Sequence, residues 1–576
     1  MRVVLCAVNA KYIHSNLAVL YLHEAALAAG RDCMIREFSI NDPLGYILSE
    51  LYQHHPQVVG FSCYIWNIEL VFRLCADLKR ISPQCTVVLG GPEVSYSALE
   101  TLADNPAVDF IVSGEGEEVW PQLLAALEAG DYPVLSGVYC RAGLGQEILT
   151  KPLTVGNMDD LPFPYRGVTK IENRIVYFES SRGCPYQCSY CISSLSSGVR
   201  YRSLHRVMPE LEYLNALQPV EIKFVDRTFN CDQSRARTIL EFIAQLPGRT
   251  RYHMEISPQL LNDTFLNFLE SLPSNRFAFE IGVQSTHVPT LRAIRRCVEW
   301  DKISSSILRL RRAGNIHLHL DLIAGLPEED YSAFRISFDE TYRLKPQHLQ
   351  LGFLKMLPGT SIRREAESGR YHFQHHPPYE VLCNRWLGYE ELVRLHHIED
   401  VLEKYYNAGL AENTLNDVIS QHYSNEAFSF WEGLAAYWHE HGFYGVGVGI
   451  AERYGILKNY LDLHYPQKKA RYQELLKYDV LKGAPAFKLP PGLESTPGCA
   501  ELLARLLKQE RFLKQYLPEF SRQLLREMKN KIIMERFDHL PANLRPVPGY
   551  TIFVYPSKGR PASRIIDIDA FWEHNI

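Results

Sequence analysis

Ser180 to Ser194 reads SSRGCPYQCSYCISS and places Cys184, Cys188 and Cys191 within eight residues. Three thiols spaced C-x3-C-x2-C admit three readings. A disulfide leaves one thiol over. A structural zinc site brings its cysteines as C-x2-C pairs and needs a fourth ligand, for which His205 is the nearest candidate, without paired spacing. An iron–sulfur cluster on three thiolates leaves one iron open, and an open iron is where chemistry takes place. The spacing favours the cluster.

The stretch RIVYFES (174–180) runs straight into this loop and opens an alternating series. EIKFVD, RYHMEIS, FAFEIGV, HLHLDLIAG and HLQLGFLKM follow, separated by helical stretches of ten or more residues. Six such units predict a partial or complete parallel barrel, whose reacting groups gather at the C-terminal strand ends. The three cysteines stand after the first strand, at such an end.

An earlier series precedes it. RVVLCAV, CMIREFSI, VVGFSCYI, TVVLGG and DFIVSG alternate with helical stretches such as NLAVLYLHEAALAAG, which ends on a capping glycine. Five strands with intervening helices predict a doubly wound parallel sheet, with ligands beyond the carboxyl ends of its strands. Those ends carry Tyr12 and His14, Tyr64 and Trp66, Gly90-Gly91, and Gly114-Glu115-Gly116-Glu117. The glycines let backbone approach a ligand, and tight turns use them equally.

The expected organisation is therefore α/β. A Rossmann-like domain covers 1–128, a hairpin (GVYCRAGLGQEIL) and linker (DDLPFPYRG) cover 129–175, and the barrel covers 176–365. A mainly helical domain covers 366–576. In it, LVRLHHIEDVLEKYY sets Leu392, Leu395, Ile398, Leu402 and Tyr405 at helical spacing. Helical patterns are read to about 536, followed by strands in YTIFVYP and RIIDIDAF. The glycines of GFYGVGVGI (Gly445, Gly447, Gly449) suit a tight helix junction, and the repeat Arg505, Lys508, Arg511, Lys514 suits a solvated helix face.

Composition narrows the setting. The 576 residues are 46% hydrophobic and 22% charged with a formal net charge of −5, ordinary globular values with no drive toward nucleic acid or anionic membrane. The apolar run Val3 to Val8 is too short for a secretory h-region, and nothing approaches the roughly 18 apolar residues of a membrane span. The other ten cysteines of thirteen are scattered singly, which suits a reducing cytoplasm.

RGCPYQCSYC resembles the signature of the radical S-adenosylmethionine (radical SAM) superfamily, including the aromatic Tyr190 before the last cysteine. The resemblance implies that Cys184, Cys188 and Cys191 hold a [4Fe-4S] cluster whose fourth iron chelates S-adenosylmethionine. It implies one-electron cleavage of that cofactor to methionine and a 5′-deoxyadenosyl radical. Later strand ends extend it. Glu255 in MEIS, Gln284 in EIGVQS, Arg296 in LRAIRR and Asp321 in DLIAGLPEED fall where relatives contact S-adenosylmethionine, with Arg295 the rival of Arg296. Glu255 and Asp321 equally suit a helix cap or a surface ion pair. Where many members carry Gly-Gly-Glu this chain has FVDRTFN, and Asp226 would substitute.

Residues 1–128 resemble the cobalamin-binding domain that precedes the barrel in B12-dependent radical enzymes, through VVLGGPEVS, DFIVSGEGEEVW and the domain order. Methylthiotransferases share that order, but Cys6, Cys33, Cys63, Cys75 and Cys85 do not reproduce their extra cluster ligands. The D-x-H-x-x-G sequence is absent, so no histidine is expected on cobalt, and His14 reads as a loop or helix-start residue. The implied corrin contacts are Tyr12, Tyr64, Trp66, Gly90, Gly91, Gly114, Glu115, Gly116 and Glu117; the aromatics equally suit interdomain packing. The C-terminal third resembles the uncharacterised extension of one subgroup of these proteins.

The resemblance implies radical methylation of an unactivated carbon, where no general base can remove a proton. It implies a small-molecule or peptide substrate and an electron donor such as flavodoxin or ferredoxin. The alternatives are a non-methylating rearrangement with the same cofactors, a radical enzyme that has lost cobalamin, and a non-catalytic zinc-stabilised binding protein.

Overall fold

All seven residues of strand β1 (Val3–Asn9) are buried, as a parallel strand covered by helices on both faces requires. The computed structural model describes residues 1–131, 135–141, 152–168, 171, 173–196, 198–296, 299–483, 489–521, 527–528, 531–557 and 560–568. They form two compact units, Met1–Gln347 with Leu351–Tyr389, and His348–Gln350 with Glu390–Ile576.

Around β1 lie β2 (Met34–Ser39), β3 (Val58–Ser62), β4 (Thr86–Gly90), β5 (Phe110–Val112) and β6 (Val138–Cys140), in the order β2-β1-β3-β4-β5-β6. The first five are parallel, as the alternating pattern predicts. The sixth opens the stretch expected as a hairpin, 137–149. Its first strand joins the sheet edge antiparallel to β5, because Val138 packs into the core of Trp120 and Leu123. Residues 142–149 of that hairpin lie outside the described residues.

The second sheet begins with β7 (Ile175–Phe178). A short antiparallel pair, β8 (Ser181–Gly183) and β9 (Val199–Tyr201), flanks the cysteine loop. Then follow β10 (Glu221–Phe224), β11 (Arg251–Glu255), β12 (Phe277–Gln284), β13 (Ile316–Ala324) and β14 (His348–Phe353). The order β14-β13-β12-β11-β10-β7 is the sequential one of a partial barrel. Exposure alternates along β13, with Leu318, Leu320 and Leu322 buried and His317, His319 and Asp321 less so. One face of this sheet is apolar and the other carries charge. A small hairpin, β15 (Tyr371–Phe373) and β16 (Val381–Asn384), closes the first unit.

In the second unit the predicted stripe is observed: Leu392, Leu395, Ile398, Leu402 and Tyr405 are all buried. The glycines of GFYGVGVGI form the junction between helices Ala427–Glu440 and Ile450–His464. Helix does not continue to 536. Residues Ile532–Phe537 form β17, antiparallel to β18 (Gly549–Val554), which pairs with β19 (Arg564–Asp567). An apolar run this short fits either period, and pairing with β18 decides it. Among the described residues no helix is long and apolar enough to cross a membrane.

Candidate functional site

The cysteine loop is set by what holds its base. Asp226, after β10, accepts hydrogen bonds from Ser180 N at 2.9 Å and from the Ser180 and Ser181 hydroxyls at 2.6 Å each. It is 1% exposed. Asp226, expected as a cofactor contact, here fixes the strand end from which the cysteines project. Gly183 then turns with φ 95°, and a side chain there would collide with Gly198 O. Cys184 Sγ lies 3.5 Å from Thr228 Oγ1, on the loop after Asp226.

The three thiols face one neighbourhood. Burial pushes the Cys188 thiol up, Arg296 pulls it down, and Cys191 and Cys184 act on it as like charges. Arg296 Nη1 is 3.8 Å from Cys188 Sγ, and Nη2 donates to Gly282 O. Arg295 is exposed, so Arg296 is the arginine turned inward. β12 ends in a register shift between Gly282 and Gln284, and Gln284 takes φ 69°, an uncommon conformation that aims its amide over Gly282. Gln284 Oε1 and Arg296 Nε are buried without a hydrogen-bond partner among the described residues. Buried polar atoms left so call for a partner, and a bound ligand or water would supply one.

Below this level the sheet carries a charged tract that the sequence reading missed. Glu280 Oε2 takes hydrogen bonds from His253 Nε2 at 2.8 Å and Lys223 Nζ at 3.1 Å. His319 Nε2 stands 3.0 Å from Asp321 Oδ1. Although burial opposes it, the His253 hydrogen bond with Lys223 and His319 nearby holds Glu280 well below the usual carboxylate range. Desolvation pushes the Glu255 carboxyl up to about 7 against the pull of Arg227, whose Nη1 is 3.9 Å away. Glu255 is thus paired with Arg227 and Asp321 with His319. The signal was present in HLHLDL, EIK and RYHME, where polar residues recur at every second position.

The donor set discriminates among metals. All described cysteines are free thiols, which removes the disulfide. Two thiolates at about 2.3 Å from one zinc lie no more than roughly 4.6 Å apart. Among the described residues the metal-ligating side chains gathered within 4.8 Å are His253, Glu280 and His319, not the three cysteines. His205 is committed to Ser203 Oγ at 2.7 Å. The three thiols do not all lie within 4.8 Å of one another, so the described geometry is not that of a closed three-thiolate zinc site. At the histidine group, Lys223 already neutralises Glu280.

A cavity of about 940 Å³ opens across the strand ends of both sheets. It is lined by Tyr64, Trp66, Gly90, Gly91, Gly114, Glu115, Gly116 and Glu117, eight of the nine residues expected to meet a corrin. Tyr12, the ninth, is not among the lining residues: it is 81% exposed and lies beneath the Arg174 guanidinium, 5.5 Å from its ring. Tyr64 and Trp66 stack at 4.4 Å, and Trp66 Nε1 donates to Val8 O. An apolar slot between Leu5, Gly60, Val88, Val112 and Trp120 continues the cavity into the first sheet. From the barrel come Tyr177, Glu179, Arg182, Ile192 and Arg227. His14 also lines it, its Nδ1 engaged 2.8 Å from Tyr177 OH. A wide cleft with polar loops above an apolar slot suits a large, amide-fringed macrocycle with an appended base.

Family models match the chain in three places. Residues 3–124 match the B12 binding domain, residues 178–340 the radical SAM superfamily, and residues 369–547 a protein of unknown function, DUF4080. The cobalamin-dependent radical SAM methyltransferase TokK of Streptomyces tokunonensis is 29% identical over 49% of this chain, and the match takes in 44% of TokK. The hopanoid C-3 methylase of Methylococcus capsulatus is 28% identical over 54% of this chain and 61% of its own length. The chain thus spans about half the length of such relatives. Among solved structures, OxsB, a cobalamin-dependent S-adenosylmethionine radical enzyme, superposes with a TM-score of 0.58 at 13% identity, covering 80% of this chain and 75% of OxsB. TsrM of Kitasatospora setae, solved with cobalamin and a [4Fe-4S] cluster, gives 0.53 at 18%, covering 65% and 76%. At these identities the two structures speak to the fold.

Proposed function

Taking as premise that a B12-binding domain here precedes a radical SAM domain and a DUF4080 domain, we propose a cobalamin-dependent radical SAM enzyme that methylates an unactivated carbon. The observation that carries this reading is the shared cavity: Trp66 and Glu117 of the first sheet and Glu179 and Ile192 of the barrel line one space. A methyl donor held by one set of strand ends and a hydrogen-abstracting group held by the other must act on one substrate within such a space.

In this reading Cys184, Cys188 and Cys191 hold the [4Fe-4S] cluster, and Gln284, Arg296, Glu255 and Asp321 surround S-adenosylmethionine. Tyr64, Trp66 and the turns Gly90-Gly91 and Gly114–Glu117 take the cobalamin. Bound together, these groups supply reductive cleavage of S-adenosylmethionine and a transferable methyl group. The chain's residues supply order. Asp226 fixes the loop base, Arg296 ties β12 to the cysteine loop, and Tyr64 with Trp66 presents an apolar face that excludes water. The reading includes a cytoplasmic setting and a flavodoxin- or ferredoxin-type donor.

The test is anaerobic reconstitution with iron, sulfide and hydroxocobalamin, then reduction with S-adenosylmethionine. About four irons and one corrin per chain, with 5′-deoxyadenosine formed, is the expected outcome. Combined replacement of the three cysteines by alanine is expected to remove the iron. A chain that takes up zinc but neither iron nor sulfide overturns the reading, and one that takes up iron but no corrin overturns its cobalamin half.

A further inference from the structure

One charged knot pins the first sheet to the barrel. Arg182, two residues before Cys184, lies with Nη2 2.6 Å from Glu117 Oε1 and 2.9 Å from Glu179 Oε2, and with Nη1 3.2 Å from Glu115 Oε2. Arg200 grips Glu115 from the other side at 2.5 Å. Arg182 and Arg200 face each other across β8 and β9, so one hairpin sends both guanidiniums to one turn.

The centre of the knot is mostly buried: Arg182 keeps 11% of its side-chain exposure, Glu117 9% and Glu179 12%, with Arg200 at 24% and Glu115 at 21% nearer its edge. Charges this buried cannot drift apart without stranding one of them uncompensated. Glu115 is held further by donation from Val155 N at 2.6 Å. All five side chains line the cavity. The turn that carries Glu115 and Glu117 is where the corrin is placed, and the hairpin that carries Arg182 runs on, through the sterically locked Gly183, into Cys184. A displacement of either loop is therefore transmitted to the other through a guanidinium and not through solvent.

We infer that Arg182 is a positioning residue that makes the Gly114–Glu117 turn and the cysteine loop move together, so that cobalamin in the cavity and S-adenosylmethionine at the cysteine loop bind with coupled affinities. The inference rests on the cofactor placement proposed above. Linkage requires each ligand to change the affinity of the other by the same factor.

The experiment uses the full chain with its cluster reconstituted. The dissociation constant of S-adenosylmethionine is measured by anaerobic equilibrium dialysis with and without saturating hydroxocobalamin, and the titration is repeated with the ligands exchanged. In the unmodified chain the two factors are expected to agree and to exceed about fivefold. Arg182→Met is expected to bring the factor below about twofold, with Arg182→Lys in between, because an ammonium keeps the charge without the fork. Glu117→Gln, remote from the cysteines in sequence, gives the same loss by a route that leaves the hairpin intact, and it decides the matter if Arg182→Met fails to retain iron. Coupling below twofold in the unmodified chain, or undiminished in iron- and corrin-bearing Glu117→Gln and Arg182→Met, overturns the inference. An unmodified chain that binds iron but no corrin overturns the placement beneath it, an outcome told apart by its missing visible spectrum.

Discussion

Arg296 Nη1 stands 3.8 Å from Cys188 Sγ, across 108 residues of chain. A cationic donor beside a thiolate stabilises negative charge on sulfur, and the cluster becomes more negative by one charge on reduction. Arg296 thus favours the reduced state. Arg296→Met is expected to shift the cluster midpoint negative by several tens of millivolts while iron content is kept, measured by anaerobic redox titration followed by electron paramagnetic resonance. An unchanged or more positive midpoint contradicts the assignment.

Trp66 offers an optical test of where the corrin sits. Trp66 is 44% exposed, lines the cavity and stacks on Tyr64, whereas Trp120, at the apolar end of the same cavity, is buried, as are Trp431 and Trp438. A corrin absorbs where tryptophan emits, so hydroxocobalamin is expected to quench fluorescence saturably. Trp66→Phe is expected to remove a distinct part of that quenching and to weaken binding by roughly threefold to tenfold, the scale of one lost aromatic contact. Identical quenching amplitudes in the two proteins place the corrin elsewhere.

Two glycines separate backbone strain from collision. Gly114 (φ 88°) and Gly130 (φ 79°) both adopt the left-handed region, yet a side chain on Gly114 would strike the backbone of Leu153 while one on Gly130 meets nothing within 4 Å. Gly130→Ala is expected to cost about 1 kcal/mol, and Gly114→Ala roughly 2–4 kcal/mol with loss of corrin uptake. Thermal unfolding with absorbance of bound hydroxocobalamin compares them. Equal shifts with equal corrin content contradict the placement of the Gly114 turn.

The cysteine loop and the strand ends were legible because each is local: a spacing, or a polar residue where an apolar run stops. The charged interior of the barrel was legible in principle, since His317, His319 and Asp321 alternate with leucines, but apolar runs were read and their interruptions passed over. The spending of Asp226 on Ser180 and Ser181 depends on contacts 46 and 45 residues apart. The knot of Arg182 and Arg200 with Glu117 and Glu115 spans 65 and 85 residues. No short window along the chain contains such pairs: the first forms once β7 pairs with β10, and the second only once both sheets are docked. The setting of Tyr12 is likewise non-local: Arg174, held by Glu37 at 3.1 Å, lies over its ring.

Glu329 makes a pH-dependent contribution to stability whose sign follows from its burial. The residue is fully buried, and its Oε1 accepts from Ser285 Oγ at 2.5 Å and Ser337 Oγ at 2.9 Å, which secures the loop directly after Gln284. Burial pushes its carboxyl up to about 7 from an ordinary 4.5. Between those values the folded chain keeps a proton that the unfolded chain has released, so unfolding free energy falls as pH rises. The contribution is full below about pH 4.5 and lost above about 7. Glutamine at this position keeps the acceptor oxygen and cannot ionise. Glu329→Gln is therefore expected to match the unmodified chain at pH 5 and to exceed it at pH 8 by roughly 1–3 kcal/mol, read from urea unfolding of the first unit at both pH values. A variant equally shifted at both, or weaker at pH 8, contradicts a buried neutral carboxyl beneath the Gln284 loop.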